Sequence, residues 1–274
     1  MSDFEFIVNA IEKGHIANLL SSNRRIDGRS KTDFREIKIE TNVIEKANGS
    51  AIVHLGKTKV IAGVKAQLAT PWSDYPDKGS LMVGFETSPL SAPEYRLGPP
   101  SIYEIELARV TDRIIRESEV VNLEDLCIIP GEKCWQIIID VYALDDFGNL
   151  FDASAIAAFA ALSTTRIPEV EVNDGEVTLL ESTRPIILQE FPVSVTTYKI
   201  GEHLVVDAQL KEEQIAEARL TFGLTEAHIV SGQKGGEGAF KSDEVLNSLQ
   251  NAIKIGSILR EKIAKELPNL VIAE

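Results

Sequence analysis

The stretch from Glu104 to Ser118 reads Glu-Ile-Glu-Leu-Ala-Arg-Val-Thr-Asp-Arg-Ile-Ile-Arg-Glu-Ser and holds the residues best suited to chemistry with an anion. Its spacing predicts a helix. At about 100° per residue, Arg109, Arg113 and Arg116 fall within roughly 60° of one another, while Leu107, Val110, Ile114 and Ile115 take the opposite side. A guanidinium fork matches phosphate oxygens, so three on one face could follow a nucleic-acid backbone. Glu106, Asp112 and Glu117 stand at the three- and four-residue spacings of intrahelical ion pairs, which makes a solvated, ion-paired face the competing reading. Periodicity leaves both open.

Other candidate chemistry is sparse. His15, His54, His203 and His228 lie far apart and form no His-x-x-x-His or Cys/His metal spacing, so surface or filler roles are expected and no metal or cofactor is assigned. Gly235-Gly236-Glu237-Gly238 resembles a phosphate-cradling loop but lacks the Lys-Ser/Thr ending of a P-loop. Asp146-Phe147-Gly148 stands without the Gly-rich loop and His-Arg-Asp stretch of a kinase, so the triplet is coincidental. Alternation sets Asp140 beside Ile138 and Tyr142 in a strand expected over 136–144, where a hydrogen-bonded structural carboxylate is a serious option.

The whole chain sets limits on its ligands. A net charge of −14, from 42 acidic against 28 basic residues, repels a polyanion, so such a ligand needs a local basic surface or help from a less acidic partner. The 274 residues permit one large domain or two small ones, and 44% hydrophobic content supplies a core. No stretch has the basic start and apolar run of a signal peptide, and none approaches the roughly 20 apolar residues of a membrane span. A cytoplasmic location without a membrane partner is expected. Cys127 and Cys134 flank Ile-Ile-Pro-Gly-Glu-Lys, a hairpin turn that would set them opposite each other. A disulfide is geometrically possible there, but a reducing cytosol favours two small core thiols.

Several elements must position the arginine helix. Apolar spacing over 4–20 predicts an amphipathic helix with Gly14 as a candidate break, followed by the basic turn Arg24-Arg25-Ile26-Asp27-Gly28-Arg29. Strands follow at about 36–47, 50–55 and 58–68, joined at Asn48-Gly49 and Gly56-Lys57, with another near 80–88. A loop broken by Pro89, Pro93, Pro99 and Pro100 then delivers the helix. Paired strands are expected over 126–144, a turn at 145–149, a strand end at Leu150 and a helix over 153–162 buried between layers. The acidic segment 167–190 marks a joint between halves. Strands at 192–200, 203–208, 217–223 and 227–232 and a closing helix capped by Ser242 complete the chain.

Several blocks in one order resemble the RNase PH family: Arg25-Ile26-Asp27-Gly28-Arg29 with Phe34-Arg35, Asn48-Gly49-Ser50-Ala51, Leu55-Gly56-Lys57-Thr58, Gly98-Pro99-Pro100, Glu106-Leu107-Ala108-Arg109 and the segment 145–152. Within that family the chain resembles the non-catalytic RNase PH-like ring subunits of archaeal exosomes, over nearly its whole length. The resemblance implies an α+β RNase PH-like fold of two βα-type halves, with β-sheets packed against helices. Its parts would be an N-terminal helix and lead-in over 1–30, an N-terminal domain over 31–167 and a C-terminal domain over 190–267. It further implies a hexameric ring of three heterodimers with a catalytic paralogue, topped by RNA-binding cap proteins, that degrades single-stranded RNA from its 3′ end with inorganic phosphate. Arg109, Arg113 and Arg116 match positions that hold RNA, so the resemblance favours the anion reading.

Departures from the active members are equally specific. Where those carry Ala-Asp-Gly-Gly-Thr-Arg to hold phosphate, this chain reads Phe151-Asp152-Ala153-Ser154-Ala155-Ile156, with isoleucine in the arginine's place. Where they carry two aspartates six residues apart, Gln214 and Arg219 stand nearest, although a one-residue shift would bring Glu213 or Glu217 into play. Gln cannot serve as a general acid. The expectation is therefore a subunit without catalytic residues of its own. Two alternatives remain, an independently active phosphorolytic exoribonuclease and an oligomeric structural protein without an RNA role.

Overall fold

The computed structural model describes residues 13–273. A helix over 13–21 (α1) leads in, and strict alternation then builds the first sheet. In β2 (Gly49–Leu55), β3 (Thr58–Ala69) and β6 (Lys133–Asp145) every second side chain, such as Val53, Val60, Ala62, Ile137 and Ile139, turns into the core. With β1 (Ile37–Thr41) and β4 (Ser80–Glu86) the order is β1-β2-β3-β6-β4, and β5 (Cys127–Ile129) pairs with the start of β6. All neighbours run antiparallel except β4, which runs parallel to β6. The arginine segment forms α2 (Ile102–Glu117), which packs against β4.

α3 (Leu150–Ser163) explains how the halves join. Apart from Ser163 every one of its residues is buried, because β2, β3 and β6 cover one side, β9 (Val193–Ile200) another and α2 a third. A helix apolar all round needs such an enclosure. The second sheet runs β10-β9-β11-β12, with β10 (His203–Val206), β11 (Ala218–Leu224) and β12 (Ile229–Gly235), all antiparallel. α5 (Ser242–Glu266) packs on β9 and β11 and reaches β1, so one contiguous core spans both halves.

Several expectations need correction. Gly49 lies inside β2 rather than in a turn; a loop over 42–48 joins β1 to β2, and a Cβ on Gly49 would sit 2.4 Å from Thr165 Oγ1. Close approach explains the glycine, not turn geometry. Leu150 opens α3 instead of ending a strand, behind Asn149 at φ 60°. The segment read as a joint forms a hairpin, β7 (Arg166–Asn173) and β8 (Glu176–Pro185), whose Val172, Leu179 and Leu180 are exposed. Ile167 at its base is buried, but beyond it the Glu-Val-Glu-Val alternation over 169–172 lies mostly in solvent, so its glutamates give the segment the look of an acidic linker. Lys241, not Ser242, caps α5, its N–H bonded to the Glu244 carboxylate at 2.7 Å. Gly14 sits within α1 without interrupting it, whereas residues 4–12 of that expected helix lie outside the described residues.

Candidate nucleic-acid interface

α2 starts where the proline loop ends. Ser101 Oγ accepts the Glu104 N–H at 3.2 Å while the Glu104 carboxylate accepts the Ser101 N–H at 2.6 Å, a reciprocal capping box. Glu104 also accepts the Thr87 hydroxyl at 2.6 Å and N–H at 2.8 Å. Burial opposes ionisation, yet the bonds from Thr87 and Ser101 outweigh it and hold the carboxyl at about 2. The helix is thereby fixed to the end of β4, with Leu107, Val110, Thr111, Ile114 and Ile115 facing the core.

The three arginines share the outer face but not their circumstances. Arg109 is exposed and its side chain makes no hydrogen bond or ion pair among the described residues. Arg113 is half-buried, and its Nη2 donates to Gln233 Oε1 on β12 at 2.7 Å. Arg116 turns back on Asp112 at 2.7 Å and donates to the Leu81 carbonyl on β4 at 2.8 Å. The ion-paired reading therefore holds for Arg116, and Arg109 is the guanidinium left wholly available.

A second, closed region lies at the N-terminus of α3, where the amide groups of a helix end would favour an anion. The chain's own carboxylates occupy it. Glu213, on α4 (Leu210–Ile215), accepts the Asn149 N–H at 2.9 Å. Asp152 accepts from Asn149 Nδ2 at 2.8 Å and from the Thr196 N–H and hydroxyl at 3.0 and 2.8 Å. Burial raises the pKa of both carboxyls despite these bonds. Although the Glu213 residue touches solvent, its carboxyl is enclosed, and burial together with that carboxyl pushes the Tyr103 and Tyr198 hydroxyls well above their ordinary range. Ile156 points into packed apolar surroundings at 2% exposure. Gln214 is exposed, and Glu217 pairs with Lys13 on the surface at 3.0 Å, so neither joins the enclosed carboxyls.

Sequence reasoning missed what walls this region. Arg35 grips the Asp207 carboxylate through Nη2 at 2.6 Å, Arg29 through Nη1 at 2.8 Å, and Asn149 Nδ2 donates to the same group at 2.8 Å. Arg25 meets Glu212 in a fully buried pair at 2.5 Å. The signal was the basic turn over 24–29, whose arginines have too few acids nearby in sequence to satisfy them. Asp140 is not the hydrogen-bonded structural carboxylate considered above; it is exposed on the outer face of the sheet opposite Gly84. Cys127 and Cys134 are cross-strand partners as expected, and both are free thiols. Among the described residues no group of His, Cys, Asp and Glu is arranged to hold a metal, and no helix is long and apolar enough to cross a membrane.

Two sheets packed around a buried central helix, with the arginine helix alongside it, make up the frame of the chain. The chain belongs to the RNase PH, or 3′ exoribonuclease, family, whose first domain matches residues 33–168 and whose second matches 190–255. Among its relatives is the exosome complex component Rrp42 of Thermococcus kodakarensis, 47% identical over 97% of this chain and 98% of that protein. The Rrp42 component of Pyrococcus horikoshii is 45% identical over the same shares, 97% and 98%. A chain of the Archaeoglobus fulgidus exosome with RNA bound to the active site superposes with a TM-score of 0.86 at 40% identity, covering 93% of this chain and 99% of that one. A chain of an archaeal exosome core gives 0.83 at 39% identity, covering 94% and 98%.

Proposed function

We propose that this chain is a ring subunit of an archaeal-type exosome that grips single-stranded RNA and performs no chemistry itself. Its catalytic partner is an RNase PH-like paralogue, with which it alternates in a cytoplasmic hexamer of three heterodimers that carries RNA-binding caps. The paralogue removes 3′ nucleotides with inorganic phosphate, and this chain presents Arg109, Arg113 and Arg116 to the RNA backbone. We read residues 31–167 and 190–267 as its two domains. The identity to Rrp42 components and the likeness to an RNA-bound exosome support this reading.

One observation carries it: on the outer face of α2 the Arg109 guanidinium has no partner among the described residues, while at α3 a buried Ile156 stands where active members carry the phosphate-holding arginine. Ile156 offers no cation to offset the charge of a phosphate dianion held there. Contacts to phosphates carry no sequence information, so RNA of any base composition should be held alike. Replacing all three arginines by alanine in the reconstituted ring should lower the salt slope of RNA binding by about 2, at roughly 0.7 per phosphate contact. An unchanged slope with unchanged affinity contradicts the proposal. Within the trio, Arg109 should contribute most and Arg116 least, since Asp112 already engages the latter.

A further inference from the structure

Arg109 ought to be paired. Glu106 precedes it by three residues and Asp112 follows by three, the spacing at which helical side chains meet. Both acids are engaged elsewhere. Asp112 gives its two oxygens to Arg116, at 2.7 and 3.1 Å. Glu106 turns away from the solvent face: its Oε2 lies 2.5 Å from Arg219 Nη2 on β11, and its Oε1 accepts from Gln233 Nε2 at 3.2 Å. The Arg219 contact is an ion pair without an aligned hydrogen bond, so its strength is Coulombic.

We propose that Arg219 is a positioning residue for the RNA-binding face, holding Glu106 away from Arg109 and, through Gln233, fixing the guanidinium of Arg113. The proposal rests on the RNA-binding reading of α2. Arg219 occupies a built slot. Its guanidinium stacks on the Phe151 ring at 4.2 Å, and on the other side its cross-strand partner is Gly235. A Cβ on Gly235 would lie 2.5 Å from Arg219 Cζ, so this glycine makes room for the side chain instead of cradling a phosphate. Arg219 is 14% and Glu106 26% exposed, which weakens solvent screening of the pair. Glu213 also senses the Arg219 charge, but burial already discourages its ionisation, leaving Glu106 as the partner within contact distance.

Gln233 extends the arrangement. Its amide must present oxygen to Arg113 and nitrogen to Glu106, and one orientation alone satisfies both a cation and a carboxylate. A chain thus runs from Phe151 through Arg219, Glu106 and Gln233 to Arg113. Position 219 stands near the place where, by the family resemblance, active members carry an aspartate. In this chain a cation there disarms an acid on the RNA face.

The test uses the ring reconstituted with its catalytic paralogue, 5′-labelled oligoadenylate as probe, and fluorescence anisotropy with phosphorolysis kinetics at low salt. R219M keeps bulk but frees Glu106, and RNA affinity should fall about three- to tenfold, with KM raised and kcat held. Adding E106Q to R219M should restore affinity to within about twofold of the unaltered ring, because the freed carboxylate is then gone. A purely structural role for Arg219 predicts no such rescue, and either a missing rescue or an unaffected R219M ring overturns the inference. Should R219M fail to assemble, Q233E decides: it neutralises Arg113 and should weaken binding about threefold, with no further loss in an R113A background. A Q233E ring that binds like the unaltered one contradicts the proposal. If R109A/R113A/R116A leaves affinity unchanged, the RNA reading itself fails; if that triple weakens binding and the R219M and Q233E variants do not, only the positioning role fails.

Discussion

The outer face of α2 and the N-terminus of α3 use the same residue types for opposite ends. Around α3, Arg29 and Arg35 are spent on Asp207, and Glu213 and Asp152 consume the donors of Asn149 and Thr196. On α2 the acids are turned aside, Glu106 inward to Arg219 and Asp112 to Arg116, so Arg109 keeps its charge for a ligand. Charge alone does not make a binding site; what remains after internal pairing does. On the proposed RNA-binding reading, the difference is what lets a chain of net charge −14 present a local cation to a polyanion.

Breaking the closed region should cost the fold. Replacing Arg25 by methionine leaves Glu212 buried without its cation and should lower stability by about 3–5 kcal/mol, measured by urea unfolding of the chain. A loss below about 1 kcal/mol would mean that the region is looser than its geometry implies. At the boundary between the regions, Glu104→Gln should cost about 1–3 kcal/mol at neutral pH through loss of the charged cap and the Thr87 bonds. Because the Glu104 carboxyl is held at about 2 against an ordinary 4.5, its stabilisation is fully present above 4.5 and disappears as pH falls toward 2. Unfolding of the two proteins at pH 6 and pH 2.5 should show the gap closing. A gap that widens in acid contradicts the assignment.

The smallest effect sharpens the contrast most. Burial raises the Glu213 pKa, so the stability lost to its ionisation is absent below the ordinary value of 4.5, grows as pH rises from there to the raised value, and is constant above it. Glu213→Gln should therefore be neutral at pH 3.5 and slightly stabilising at pH 8, by less than about 1 kcal/mol. Phosphorolysis by the reconstituted ring should not change. A ring that loses activity with this variant would give Glu213 a part in the chemistry.

Much of this was legible in the sequence where one physical rule dominated. Alternation marked β2, β3 and β6, the apolar run 153–162 marked a helix enclosed on all sides, and the spacing of α2 set its three arginines on one face. The β7–β8 ribbon escaped because it is buried only near its base, at Ile167, and its glutamates read as an acidic linker, and the six-residue α4 because its charged side chains show no period. Within the site, types and spacing could not say which arginine is free. That depends on Arg219 and Gln233, more than 100 residues away in sequence and brought to α2 by the second sheet. Long-range pairing of charges leaves no local pattern to read.

The most direct measurement incubates labelled single-stranded RNA and inorganic phosphate with the purified chain, with the catalytic paralogue, and with both. The chain alone should release no nucleoside diphosphate, and the mixture should turn over RNA with a KM that rises when Arg109, Arg113 and Arg116 become alanine. Phosphate-dependent shortening of RNA by the isolated chain would contradict the proposed function.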